Sequence, residues 1–241
     1  MSYKILSPYS ERQLWEFNSN LIHLDFLASK ISKKMHILDV GCGIGILALA
    51  LVILGYNVDG VDKYIFQENN SYSADVGVLS LIWVKNNLKI SNADISANSV
   101  ATKYDVVISI ATIEHQQYPK QFIQQLMDRV NNGGFVYLAT PNVTHLLNRI
   151  RFLFGYPPLG NLKEFFDNGT VFVGHWREYS LAELKFFYQW SGLEIIETEN
   201  IQSIRPRVFG IWGRGIYVNF FRLLSYVLPG MRDTNIIFGK K

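Results

Sequence analysis

The chain has 241 residues, enough for one large domain or a domain with a sizeable insertion, and too few for two full-sized enzymatic domains joined by a linker. Hydrophobic residues make up 49% and charged residues only 18%, against a typical charged share of about 25%, which excludes a disordered chain. One cysteine, Cys42, excludes a disulfide framework and a cysteine-rich zinc site and fits a reducing, cytoplasmic setting, while the net charge of +3 excludes little until its distribution is known.

Residues 10 to 34 read as one or two helices forming an N-terminal cap (1–35), with Ser10 as N-cap and Leu14, Phe17, Leu21, Leu24 and Leu27 spaced by three or four. Glu11, Arg12 and Glu16 leave no continuous apolar stretch here, so no secretory leader is expected. His36 to Val40 is then a short apolar strand, Gly41 to Gly45 a glycine turn and Ile46 to Leu54 a buried helix stopped by Gly55. With the strand Asn57 to Val61 this makes a βαβ unit. The alternation continues with a helix over Ala74 to Asn86, a weak strand Leu88 to Ser91, a strong strand Tyr104 to Ile110, a helix Pro119 to Val130 and a strand Gly134 to Thr140. Such alternation predicts an α/β fold, a doubly wound and mostly parallel sheet with helices on both faces. From 141 to 178 the periodicity fails among Gly155, Pro157, Pro158, Gly160 and Gly169, and a loop of this length predicts a substrate or lid segment. Within it, His145 and Arg149 to Phe154 fit a lid helix or an ordinary connector equally well. A helix from Ser180 to Trp190, a strand Leu193 to Thr198 and a closing strand within 233–241 end the pattern. The main domain is accordingly placed at 36–200.

The chemistry concentrates in residues 36 to 62. A glycine turn leaving a parallel strand lets a ligand approach the backbone, and the helix that follows offers unpaired N–H groups. Asp62 stands 21 positions after Gly41, the separation at which a carboxylate at the second strand's tip accepts bonds from both hydroxyls of a ribose. A dinucleotide turn would read G-x-G-x-x-G, yet Ile46 occupies the third glycine's place and Asp39 would repel a pyrophosphate. A carboxylate at 39 suits a ligand carrying an ammonium and a sulfonium.

On Leu38-Asp39-Val40-Gly41-Cys42-Gly43-Ile44-Gly45, Asp62, Asn92-Ala93-Asp94-Ile95 and the strand Tyr104 to Ile110 with its exit Ala111-Thr112-Ile113-Glu114-His115, the chain resembles the class I S-adenosylmethionine-dependent methyltransferases from Ile37 to about Thr198. The resemblance implies a seven-stranded Rossmann-like sheet and S-adenosylmethionine as cofactor. Asp39, Gly41, Gly43 and Gly45 would hold its methionine moiety and Asp62 its ribose, with Asp94 at the adenine amino group and Ile95 beside the ring. Cys42, Lys63, Ile110 and Ala111 complete the implied cofactor-binding set. Cys42 is expected to serve through backbone or packing rather than as a thiolate, since nothing basic stands beside it in the sequence. Asp105 reads as a surface or capping residue.

His115, at the carboxyl edge of the fourth strand, is the candidate general base for an acceptor hydroxyl; packing against the next helix is the competing reading. His175, Trp176, Arg177 and Tyr179 are candidate acceptor contacts. Ser180 and Glu183 form a capping box that would alternatively make Tyr179 a hydrophobic staple. No His and carboxylate cluster shows metal-ligand spacing, so no metal is expected, short of a site assembled from distant residues.

Residues 201–232 carry five arginines and no Asp, Glu or Lys, a formal +5 that leaves −2 on the rest of the chain. Arg214 to Leu228 projects as a helix with a cationic face backed by Phe, Leu and Tyr. That pattern fits an anionic membrane surface at 205–228, or equally a stripe packed on the sheet or on another subunit. Nucleic acid is not expected as a partner. The sequence thus predicts an S-adenosylmethionine-dependent methyltransferase, cytoplasmic or peripheral at the inner membrane face, acting on a hydroxyl of a small or lipid-linked acceptor such as a glycan or phenol. Carbon methylation of a lipid quinone ring and a non-catalytic cofactor-binding module are the alternatives.

Overall fold

The structure, a computed structural model, describes residues 11–63, 73–95, 102–157, 162–168, 174–203, 223–224, 227–228 and 230–241. In chain order the elements are α1 (Glu11–Lys30), β1 (His36–Val40), α2 (Ile46–Ile53), β2 (Asn57–Val61), α3 (Ser73–Lys85), β3 (Lys89–Ser91) and β4 (Tyr104–Ile110). After a 3-10 turn at Ile113–His115 follow α4 (Pro119–Arg129), β5 (Val130–Pro141), α5 (Leu146–Leu153), α6 (Leu162–Asn168), α7 (Leu181–Trp190), β6 (Glu194–Ile201) and β7 (Thr234–Lys240).

The strands form one seven-stranded sheet in the order β3-β2-β1-β4-β5-β7-β6. β1 pairs in parallel with β2, from His36 opposite Asn57 to Val40 opposite Val61, and with β4 on its other edge; β2 pairs in parallel with β3. Bonds from the Gly133 amide to the Lys241 carbonyl and from the Asn142 amide to that of Asp233 run β7 antiparallel to β5. Ile37, Val106, Val107, Ile108 and Val136 are fully buried, as unbroken apolar strands covered on both faces must be. From β1 the chain winds outward through β2 and β3, then returns to β4 on the opposite edge. Right-handed crossovers therefore put helices on both faces and leave a switch point beyond the carboxyl ends of β1 and β4.

Contacts divide the chain into two compact units: Met1–Ile110 with Ile123–Tyr137 and Lys240–Lys241, and Ala111–Phe122 with Leu138–Gly239. The division runs through α4, β5 and β7. In the first unit the buried His23 of α1 shares a 2.7 Å hydrogen bond with the Tyr137 hydroxyl of β5, which ties the N-terminal helix to the sheet. Asp105 proves structural: its carboxylate accepts from the His36 amide at 2.9 Å and the Asn131 side chain at 2.9 Å, fixing the starts of β1, β4 and β5. Those bonds hold its pKa below the ordinary carboxylate value.

In the second unit, Ser180 caps α7 reciprocally with Glu183, the capping box expected from the sequence. Ser180→Ala is expected to lower stability by about 1 kcal/mol, read as a shifted denaturant midpoint at unchanged slope. Regular structure also enters the supposedly irregular segment as α5 and α6, with His145 capping α5 through its ring nitrogen. The amphipathic helix expected at 214–228 lies almost wholly outside the described residues, as do Arg205, Arg207, Arg214 and Arg222; of the five arginines only Arg232 is described.

Candidate functional site

The first unit holds a glycine turn built for close backbone approach. Gly41, Gly43 and Gly45 all have positive φ, 72°, 52° and 71°, a conformation that costs any other L-residue about 1–2 kcal/mol. Space restricts the third position further: a Cβ on Gly45 would lie 2.3 Å from Ile90 Cδ1 and 3.3 Å from Trp83 Nε1. Gly45 caps α2 without a side-chain acceptor, and no acid stands in that helix's first turn, so no side chain of the helix itself competes for its first amides. Cys42 packs over Gly60, where an added Cβ would come within 2.9 Å of its sulfur. Burial pushes its thiol pKa well above the ordinary value, against any thiolate role.

Two carboxylates flank this turn. Asp39, on β1, is 3% exposed, and burial first and the Asp62 charge second raise its pKa to about 7. Asp62, just past β2, accepts from the Gly43 amide at 3.0 Å. A pyrophosphate here would meet two acids, whereas a ligand ammonium would relieve their mutual repulsion, so the donor set fits an amino-acid moiety and a ribose. Beside it, Lys63 reaches Asp94 at 3.4 Å, joining the loops after β2 and β3, and the Ile95 carbonyl accepts from Arg129 at 2.8 Å. Ile110 closes β4 in the same unit, half-buried.

The second unit gathers a different set. Ala111 takes a left-handed φ of 51°, its amide bonded to the Ala139 carbonyl at 2.9 Å, and this bend turns the chain into the 3-10 turn carrying Glu114 and His115. Backbone bonds from the Trp176 and Arg177 amides to the Glu114 carbonyl then bring residues 174–178 against that turn. The rings of His115 and His175 meet edge to face at 4.8 Å. His115 Nδ1 lies 3.1 Å from the Gly174 carbonyl and His175 Nδ1 lies 3.1 Å from a Glu178 carboxylate oxygen. The other three candidates are otherwise engaged: Trp176 packs on Phe165, Arg177 pairs with Glu183 and lies over the Tyr179 ring, and Tyr179 is 2% exposed against Phe187.

Sequence reasoning missed Glu114. It is wholly buried; Oε2 accepts from Thr140 at 2.8 Å and Oε1 has no hydrogen-bond partner. Burial raises its pKa, opposed by its hydrogen bonds and by the two histidines. One atom from each of Glu114, His115 and His175 lies within 4.8 Å of the others, so a metal-capable group exists where spacing along the chain showed none. The sequence clue was an acid adjoining His115 directly after a strand end.

Comparison with known proteins places this geometry in a family. A methyltransferase-domain family profile matches residues 12–198. A ubiquinone biosynthesis O-methyltransferase of Rickettsia prowazekii is 31% identical over 231 residues, 89% of this chain and 83% of that protein. Among solved structures, magnesium protoporphyrin IX methyltransferase from Synechocystis with bound S-adenosylhomocysteine superposes with a TM-score of 0.60 at 15% identity, over 95% of this chain and 84% of that one. A methyltransferase from Archaeoglobus fulgidus superposes with a TM-score of 0.58 at 16% identity over the whole of both chains. At these identities the structural likeness speaks for the fold, and it is the profile and the Rickettsia relative that carry the family. The chain is therefore an enzyme of the class I S-adenosylmethionine-dependent methyltransferases.

Proposed function

We propose that this methyltransferase transfers its methyl group to a hydroxyl of a hydrophobic phenolic or lipid-linked acceptor. The carrying observation is the relative named as an O-methyltransferase of ubiquinone biosynthesis, whose likeness extends over most of both chains. Exposed apolar side chains in the second unit support it: Leu153, Phe154, Tyr156 and Phe166 are each more than 60% exposed, the first three following Arg149 and Arg151 in the chain. An anionic membrane surface would suit these side chains and the arginines of 205–228, with the enzyme peripheral on the cytoplasmic face. Among the described residues no helix is long and apolar enough to cross a membrane.

The bound cofactor supplies a methyl group already activated on a sulfonium. In this reading Asp39 pairs with the cofactor's ammonium, and the amides of Gly41, Cys42, Gly43 and Gly45 line its methionine end. Asp62 accepts from the ribose hydroxyls, Lys63 steadies Asp94 for the adenine amino group, and Ile95, Ile110 and Ala111 supply apolar and backbone contacts. The chain's catalytic work is chiefly alignment and exclusion of water. His115 receives the acceptor's hydroxyl proton: a carbonyl oxygen only accepts, so Nδ1 bears the hydrogen facing Gly174 and the lone pair resides on Nε2. His175 borders that step, and Trp176, Arg177 and Tyr179 brace the segment that carries it.

Asp62→Ala is expected to weaken S-adenosylmethionine binding by about a hundredfold, the worth of two charge-assisted hydrogen bonds, measured by calorimetry. Unchanged affinity would remove the ribose assignment. Incubation with methyl-labelled cofactor and separated phenol, lipid-quinone, glycan and protein fractions tests the acceptor. Label in a phenolic or lipid-linked hydroxyl is expected; label on ring carbon would favour quinone C-methylation, and cofactor binding without label in any fraction would favour a non-catalytic module.

A further inference from the structure

We propose that Glu114, His115 and His175 form a binding site for a divalent first-row transition-metal ion, of the zinc or ferrous class. Two imidazoles and one carboxylate, drawn from a turn and from a loop sixty residues further on, converge with one donor atom each within 4.8 Å. Ligands about 2.1 Å from a tetrahedral zinc stand about 3.4 Å apart, so capture of the ion draws these atoms inward by small side-chain rotations.

Three features mark this as a built arrangement rather than a chance cluster. Glu114 is fully buried with Oε1 unpartnered, and a buried carboxylate oxygen without a donor is costly unless a cation or proton answers it. Its other oxygen is occupied by the Thr140 hydroxyl at 2.8 Å, which orients the carboxylate. Both histidines direct Nδ1 at an oxygen acceptor, His115 at the Gly174 carbonyl and His175 at the Glu178 carboxylate, each at 3.1 Å. In the neutral ring this places the lone pair on Nε2, and the His175–Glu178 pair resembles the carboxylate–histidine–metal relay of known metal sites. The exits are graded as well: Glu114 is buried, His115 half-buried and His175 exposed, so an ion enters from the His175 side. Nitrogen-rich ligation favours the imidazole-binding metals over magnesium or calcium, and three protein ligands leave a position for water or a substrate oxygen. The Nε2 lone pair that holds the ion is the one a base uses, so His115 acts as a base only in the metal-free protein. The site does not depend on which acceptor is methylated.

The test uses the full chain, stripped by chelator and titrated with Zn²⁺ by calorimetry and with Co²⁺ by visible absorption. One ion per chain and cobalt d–d bands are expected, with Glu114→Gln and His175→Asn each weakening binding by at least about tenfold. Circular dichroism establishes that the variants fold; if Glu114→Gln does not, the exposed His175→Asn decides alone. Absence of binding and of cobalt bands, or undiminished affinity in the folded variants, overturns the proposal.

Discussion

At pH 8 the Asp39→Asn protein is expected to be more stable than its parent by about 4 kcal/mol and to bind S-adenosylmethionine at least about a hundredfold more weakly. Asp39 has an ordinary pKa of 3.8 and a folded-state value of about 7, set first by burial and then by the Asp62 carboxylate. Between those values the folded protein binds the extra proton. Parent stability is therefore lost as pH rises from about 4 to 7, and the full cost of holding the charged form persists above 7. Asparagine cannot ionise, so the two proteins converge near pH 4, part progressively up to about 7 and keep the full difference above it. Cofactor binding reverses the ranking, because an ammonium placed against Asp39 favours the charged carboxylate and expels its proton. Parent affinity should rise with pH up to about 7, while the variant should lack that rise. Denaturation with and without cofactor at pH 5 and pH 8 checks both signs; equal stability at pH 8, or equal affinity there, would refute the assignment of Asp39 as a strained carboxylate held for a cation.

That strain was legible only in part. The acid–glycine pattern and the spacing to Asp62 located the turn, because a parallel strand ending in glycines leaves few other readings, and β1, β2 and β4 run over the very residues expected. Edges defined by long-range pairing were less visible. β5 begins at Val130 rather than Gly134, since the Gly133 and Gly134 backbones pair with Lys241 about a hundred residues later. α5 is expected only as one of two readings of His145 and Arg149 to Phe154, and α6 escaped altogether, because glycines and prolines dominate their flanks and a histidine provides the cap of α5. Glu114 was named in the exit loop of β4 yet assigned no role: nothing local reveals that Thr140 will meet one of its oxygens or that residues 174–178 will fold across its backbone. Local periodicity reports helices and strands, and sites assembled across sixty residues are set by topology that periodicity does not encode.

The glycine turn offers a graded test of how far steric demand, rather than backbone freedom alone, fixes the cofactor site. Gly43 and Gly45 both adopt positive φ, but a Cβ at 43 would meet nothing within 4 Å, whereas one at 45 would press on Ile90 and Trp83. Gly43→Ala should then lose only the left-handed penalty, about 1 kcal/mol. Gly45→Ala should lose about 3 kcal/mol, because overpacking against the buried Trp83 and the Ile90 methyl adds about 1–3 kcal/mol to the same penalty. Ile90 Cδ1 is the end of a flexible side chain, so shortening it should recover the steric share and leave the backbone share. A double-mutant cycle of Gly45→Ala with Ile90→Ala, read by chemical denaturation, should show a favourable coupling of about 1 kcal/mol. Cofactor affinity should fall further in Gly45→Ala than in Gly43→Ala, since the displaced turn carries the amide of Gly43 away from Asp62. Equal losses at the two glycines, or no coupling to Ile90, would mean that the turn is held by backbone conformation alone and that β3 plays no part in shaping it.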